Sequence, residues 1–347
     1  MPQYRSGLPQ LSGDIFLTDA GVETDLIFNH GIEIREFAAH TLLPTPEGRA
    51  ALARYFEGFL RLAKEIDTGF ILDSVTWKAH AHWASSLHAS RAELRAANED
   101  SLGFIADLRE RFGGNAKPIV LNAVMGPRGD AYRPEAEIAM EAAEEYFTEQ
   151  LGWIAATEAD MVTALTFNQA GEAAGLARAA RAAGLPAVVS FTVETNGALP
   201  TGQMLSDAIK QVDDATEGYP SYFMINCAHP DHFAGVLQDA PWARRIRGVR
   251  ANASRRSHAE LDSAPELDPG DPHELAGQYR ELADLMPWLN VFGGCCGSDL
   301  RHVTRRLRAR CVVTDCLGSE RDSIRVVLNG VGHYQHALPV LVTVYVG

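Results

Sequence analysis

Cysteine is scarce in this chain. Only five occur in 347 residues, an odd number at low density, which excludes the disulfide framework of a small secreted domain. Positive charge is also short, with 31 Lys and Arg against 45 Asp and Glu for a net charge of -14. An acidic surface repels phosphate backbones and anionic headgroups, so neither nucleic acid nor a membrane is expected as a partner. No apolar run approaches the roughly 18 residues that span a bilayer, and the opening MPQYRSGLPQLSGD lacks the apolar core of a signal peptide. The chain therefore reads as soluble and cytoplasmic. No Gly-x-Gly-x-x-Gly follows the first apolar run, which argues against a dinucleotide-binding open sheet.

What is present is alternation. Short, largely apolar runs at 15–19, 70–77, 118–124, 161–167, 187–193, 222–226, 246–251 and 289–293 read as strands buried on both faces. Between them, segments of helical period fall near 47–66, 91–112, 134–157, 171–183, 205–215, 232–238 and 274–285, with a last one near 299–308. Pro134 with Glu135 and Glu137 predicts a helix start, and Gly184-Leu185-Pro186 predicts a helix stop. Eight strands, each followed by a helical connection, make the tally of a closed (β/α)8 TIM barrel, an α/β fold. The acidic, Pro-containing stretch 254–272 reads as a long loop over the mouth of that barrel. The barrel domain is assigned to residues 1–310. A C-terminal tail, 311–347, departs from the pattern and is the region where a contact between copies in a homo-oligomer would be sought.

The sharpest chemical feature is Gly293-Gly294-Cys295-Cys296-Gly297, placed directly after the eighth strand, where barrel enzymes carry their reactive groups. Cys227 directly follows the sixth strand. Ends of two strands of one barrel can converge, and three thiolates suit a tetrahedral zinc with one position left for substrate. The competing reading is three inert buried thiols, the commoner fate of cysteine. Adjacency inside a glycine loop favours the metal, and adjacent cysteines are too constrained to pair easily with each other. A zinc held by three thiolates would deprotonate a bound thiol and leave it nucleophilic.

These blocks resemble the zinc-dependent homocysteine S-methyltransferase family, which includes betaine–homocysteine and S-methylmethionine–homocysteine methyltransferases. The resemblance spans about 16–308. It rests on Leu17-Thr18-Asp19-Ala20-Gly21 with Thr24 and Leu26, on Gly126-Pro127-Arg128-Gly129-Asp130-Ala131-Tyr132, and on Ser190-Phe191-Thr192-Val193 with Asn196-Gly197 and Gly202-Gln203. Asn226-Cys227 and the Cys295-Cys296 turn complete it. The resemblance implies that Cys227, Cys295 and Cys296 bind Zn2+, and that a methyl group passes from a sulfonium or betaine-type donor to a thiol or selenol. It implies homocysteine as acceptor and a place in methionine biosynthesis. Asp19 would hold the acceptor's ammonium, with Thr24, Leu165, Asn226 and Asn252 at the substrate.

Three departures stand out. Leu165 occupies the place of a strand-four glutamate that in the family also contacts the amino group, and a leucine cannot accept a hydrogen bond. Thr76-Trp77-Lys78-Ala79-His80 replaces a Thr-Tyr-Gln-Ala-Ser-like run, and Ala251-Asn252-Ala253-Ser254-Arg255 keeps the family's Asn but not its Glu. The alternative is a zinc-binding barrel that takes a thiol without a free amine or serves a non-catalytic binding role. Asp73 and Glu194 are candidates to replace the missing acid. His80, His82 and His88 suggest a second metal site, but no further ligand follows at a recognisable spacing, so His80 is a candidate substrate contact; His229 and His232 are read as helix-start or loop residues. Cys311 and Cys316 are read as free thiols, and the arginines of 301–310 as a solvated helix face.

Overall fold

The computed structural model describes residues 1–305 apart from 115, 116, 135 and 265, together with the backbone but not the side chain of 262. The tail 311–347, with Cys311 and Cys316, and the end of the expected last helix lie outside the described residues. Eight parallel strands close in sequence order into a barrel. They are β1 (Phe16–Leu17), β2 (Gly69–Asp73), β3 (Ile119–Met125), β4 (Met161–Phe167), β5 (Ala187–Phe191), β6 (Tyr222–Asn226), β7 (Ile246–Ala251) and β8 (Val291–Gly294). The ring closes where Phe16 registers against Val291 and Leu17 against Phe292. Among the described residues, no helix is long and apolar enough to cross a membrane.

Side-chain alternation divides each strand between two environments. Outward residues such as Leu72, Leu121, Val162 and Val189 join the apolar layer beneath the helices. Inward residues build the barrel interior. Its lower layer is apolar, with Phe16, Ile71, Val120, Met161, Val188, Tyr222 and Val291 packed together. Two positions further along, the strands carry polar groups. Asn122 donates to Asp73 at 2.7 Å, Thr163 donates to Asn122 at 2.9 Å, and Ser190 donates to Asn226 at 2.6 Å. This polar layer lies toward the C-terminal strand ends and forms the base of the site.

Several expectations fail locally: the strand expected over 70–77 ends at Asp73, and the helix expected over 232–238 is a short helix Pro230–Phe233 followed by a 3-10 turn Ala234–Val236. The helix expected from Pro134 begins only at Met140 (Met140–Ala155). The Gln169 side chain holds the preceding chain as a loop, accepting from Ile138 N–H and donating to Ala136 O, both at 2.8 Å. The loop after β7 contains a helix, His258–Asp262, whose Ser257 and Glu260 form a reciprocal capping box. The Ser-x-x-Glu spacing was visible in the sequence, beneath a charge-rich composition that reads as loop.

Candidate metal centre

Cys227 follows β6 in a left-handed backbone conformation, φ 58°, which costs a non-glycine residue roughly 1–2 kcal/mol. The surroundings impose it. The Cys227 carbonyl accepts from His258 Nε2 at 2.6 Å and from Asn252 Nδ2 at 3.0 Å, and the Cys227 N–H donates to Arg250 O at 3.1 Å. With Nε2 donating, the His258 tautomer is set, and its Nδ1 lies 3.5 Å from Glu194.

The second pair of cysteines is held from both neighbouring strands. Cys295 N–H donates to Ala251 O at 2.9 Å, and Cys296 O accepts from Ala253 N–H at 3.1 Å. Gly297, at φ 76°, ends the turn, and its N–H donates to Thr24 Oγ1 at 3.1 Å. The β1 loop packs so closely here that a Cβ on Gly21 would stand 2.6 Å from Cys295 O. Glycine is required at that point.

The three Sγ atoms lie within 4.8 Å of one another, with Cys227 and Cys296 at 3.4 Å. Tetrahedral zinc with Zn–S bonds near 2.3 Å places its sulfurs about 3.8 Å apart, so this donor set fits zinc in both chemistry and spacing. Without metal the sulfurs share charge unequally. Hydrogen bonds from Cys227 and Cys296, then the positive Arg250, hold the Cys295 thiol well below its ordinary value, while Cys227 and Cys296 are pushed up. Asn226 Nδ2 donates to Cys295 Sγ at 3.8 Å, and Tyr132 Oη lies 2.8 Å from Cys227 Sγ. Burial, followed by the cysteine charges, raises the Tyr132 phenol. It therefore stays a neutral donor toward sulfur, with its ring against His258 at 4.2 Å.

All three cysteines line a cavity of about 600 Å³ at the C-terminal mouth of the barrel. Its floor holds a group that the sequence reading missed. Arg250 is buried and bonds Asp19 at 2.6 Å, Asp73, and the Gly294 carbonyl at 3.1 Å. Tyr55 donates to the other oxygen of Asp19 at 3.2 Å, and Asn122 to the other oxygen of Asp73. Burial pushes Asp19 up to about 8, with Arg250 opposing and Asp73 adding to the rise. Two arginines in the short strand Ile246-Arg247-Gly248-Val249-Arg250-Ala251, the second at its C-terminal end, were the available signal. Glu23, another lining residue, has its carboxyl raised to about 7 by burial.

The remaining sequence candidates divide. Thr24, Leu165 and Asn252 line the cavity beside Asp19. Asn226 lies beneath it, linking Thr166, Ser190 and Cys295. Asn252 Oδ1 is buried and has no hydrogen-bond partner among the described residues. Asp73 belongs to the Arg250 group and Glu194 to His258. His229 caps the turn Pro230–Phe233, and His232 Nε2 meets Arg255 O at 2.8 Å.

His80 is not among the cavity-lining residues. It is buried, with Nδ1 2.7 Å from Tyr146 Oη, and burial pushes it down to about 3. In the unfolded chain it takes up a proton near pH 6.5, whereas the folded chain resists until about pH 3. Stability therefore falls as pH drops through that window. A His80→Asn variant is expected to flatten the decline by up to about 1.4 kcal/mol per pH unit, read from urea unfolding at pH 4 to 7. An unchanged slope would exclude His80 as a contributor.

The sequence model described as homocysteine S-methyltransferase matches residues 16–310. No curated protein matches the chain. Among solved structures, the homocysteine methyltransferase MmuM from Escherichia coli in its oxidized form superposes with TM-score 0.67 at 19% identity, covering 86% of this chain and 96% of that one. Its metallated form gives TM-score 0.67 at 18% identity over 87% and 99%. The apo form gives 0.61 at 19% over 86% and 96%.

Proposed function

Because the chain belongs to the homocysteine S-methyltransferase family and is a methyltransferase, we propose that it transfers a methyl group from a sulfonium or betaine-type donor to a thiol, with homocysteine as the leading acceptor. The observation that carries this reading is the convergence of Cys227, Cys295 and Cys296 on one point at the cavity wall. Those three residues would hold zinc, and zinc bound there would supply the Lewis acidity that keeps an incoming thiol deprotonated near neutral pH. The metallated state named for the Escherichia coli relative supports the assignment.

The rest is done by the chain. Asn226 and Tyr132 direct donors at two of the sulfurs, which spreads their negative charge. His258 and Asn252 hold the strained Cys227 backbone, and so the sulfur, in place. The acceptor sulfur attacks the donor methyl carbon. A new S–C bond forms as the methyl–sulfonium or methyl–ammonium bond breaks, and that electron pair leaves with the neutralised donor. No protein base is needed once the thiol proton has gone to solvent.

A second reading has its own support. Leu165 offers the cavity no acceptor, and the Asp19 carboxylate is already engaged by Arg250 and Tyr55, so the acceptor would be a thiol without an amine. The test is a matrix of thiols against sulfonium and betaine donors, followed by mass spectrometry of the products, on protein of known zinc content. Methylated homocysteine with one zinc per chain is the expected result. Thiol binding without methyl transfer from any donor would favour a non-catalytic binding role instead.

A further inference from the structure

An amine-bearing thiol needs an anion to receive it, and most carboxylates at this cavity are committed. Arg250 and Tyr55 take the two oxygens of Asp19, and Arg250 and Asn122 take those of Asp73. Asp130 accepts the backbone N–H groups of Tyr132 and Arg133 at 2.8 and 3.1 Å through one oxygen, and it is exposed, as are the lining acids Glu36 and Glu266. The guanidinium is itself consumed, with Nε, Nη1 and Nη2 all bonded to carboxylates or carbonyls, so it cannot bind a substrate carboxylate either.

Glu23 differs from all of these. It is half-buried and lines the cavity, and its carboxylate accepts only its own backbone N–H, with no hydrogen bond or ion pair to another described residue. Its position is fixed by its neighbours. Gly21 packs on the Cys295 carbonyl, and Thr24 accepts from the Gly297 N–H. The backbone on either side of Glu23 is therefore fastened to the loop carrying two of the three sulfurs. Lys78 attracts the Glu23 carboxylate without an ion pair to it, donating instead to Glu36 O at 2.7 Å with its ammonium 4.0 Å from the Trp83 ring centre.

We propose that Glu23 is the specificity-determining residue of the acceptor site: its carboxylate receives a cationic amino group on the thiol, while Asp19 serves with Asp73 to hold Arg250. This rests on the thiol-methylation reading above. A neutral replacement would remove the charge-assisted contact without disturbing the backbone that ties Gly21 and Thr24 to the sulfur loop.

The test uses the full chain with cobalt in place of zinc, whose absorption reports a sulfur joining the metal. It is titrated with homocysteine and with 4-mercaptobutanoate, which has the same carbon chain without the amine. Wild-type protein is expected to bind homocysteine at least tenfold more tightly. In Glu23→Gln that preference falls to twofold or less, through weaker homocysteine binding alone, and Glu23→Asp restores part of it. The donor's KM, measured on the zinc form, stays unchanged in both variants. Equal weakening of both thiols, an unchanged preference, or an effect confined to the donor's KM would each overturn the assignment. If wild-type protein responds to neither thiol, the thiol-acceptor reading fails and Glu23 falls with it. If wild-type protein responds and Glu23→Gln keeps the preference, only the Glu23 assignment fails.

Discussion

Cys295→Ala is expected to strip the protein of stoichiometric zinc and to lower methyl transfer below about one hundredth of the wild-type rate, since even a changed partner behind a ligand costs 10- to 100-fold. Hydrogen bonds from the other two cysteines, then the charge of Arg250, lower the Cys295 thiol. Alanine leaves only Cys227 and Cys296, too few sulfurs to hold a tetrahedral ion with one position open. The fold should survive, because the backbone bonds of residue 295, its N–H to Ala251 O and its carbonyl to Ser298, do not involve the sulfur. Metal analysis of the purified variant decides the matter. Full zinc content with native circular dichroism would remove Cys295 from the centre and with it the basis for methyl transfer.

Arg250→Met should be the most destabilising change at the site, by about 3–5 kcal/mol, the usual cost of removing one partner from a buried ion pair. The methionine fills similar volume, so the loss comes from charge. Asp19 and Asp73, both buried, would face each other without a cation, and the Gly294 carbonyl would lose its donor one residue before Cys295. Arg250→Lys should recover only part of the loss, since an ammonium lacks the planar fork that reaches both carboxylates and the carbonyl. Urea midpoints for the three proteins give the comparison. A change below about 1 kcal/mol for Arg250→Met would mean the two acids are neutral and need no cation.

Much of this was legible beforehand, for specific reasons. The order and number of strands could be read because parallel strands covered on both sides are largely apolar, and Met161–Phe167, Tyr222–Asn226 and Ile246–Ala251 appear with the expected bounds. The cysteine turn was legible because chemistry in a barrel collects at strand C-termini. The start of Met140–Ala155 was not, because a side chain 31 residues away in sequence, Gln169, captures the backbone that Pro134 would have fed into a helix. Nor was the role of Arg250, since nothing local to β7 says that two acids from β1 and β2 will meet it.

Composition and periodicity by themselves determined a closed barrel and put Cys227 and Cys295–Cys296 at strand ends. Both follow from short-range pattern, the alternation of buried faces and the spacing between elements. Which acid is spent and which is free was decided only by closure of the barrel. Closure brings β1, β2 and β7 within hydrogen-bond reach across the interior and leaves Glu23 lining the cavity with no bond to another described residue. Charge pairing of that kind depends on distances of about 3 Å between residues up to 231 positions apart, and such distances are properties of packing, which no local run of residues encodes.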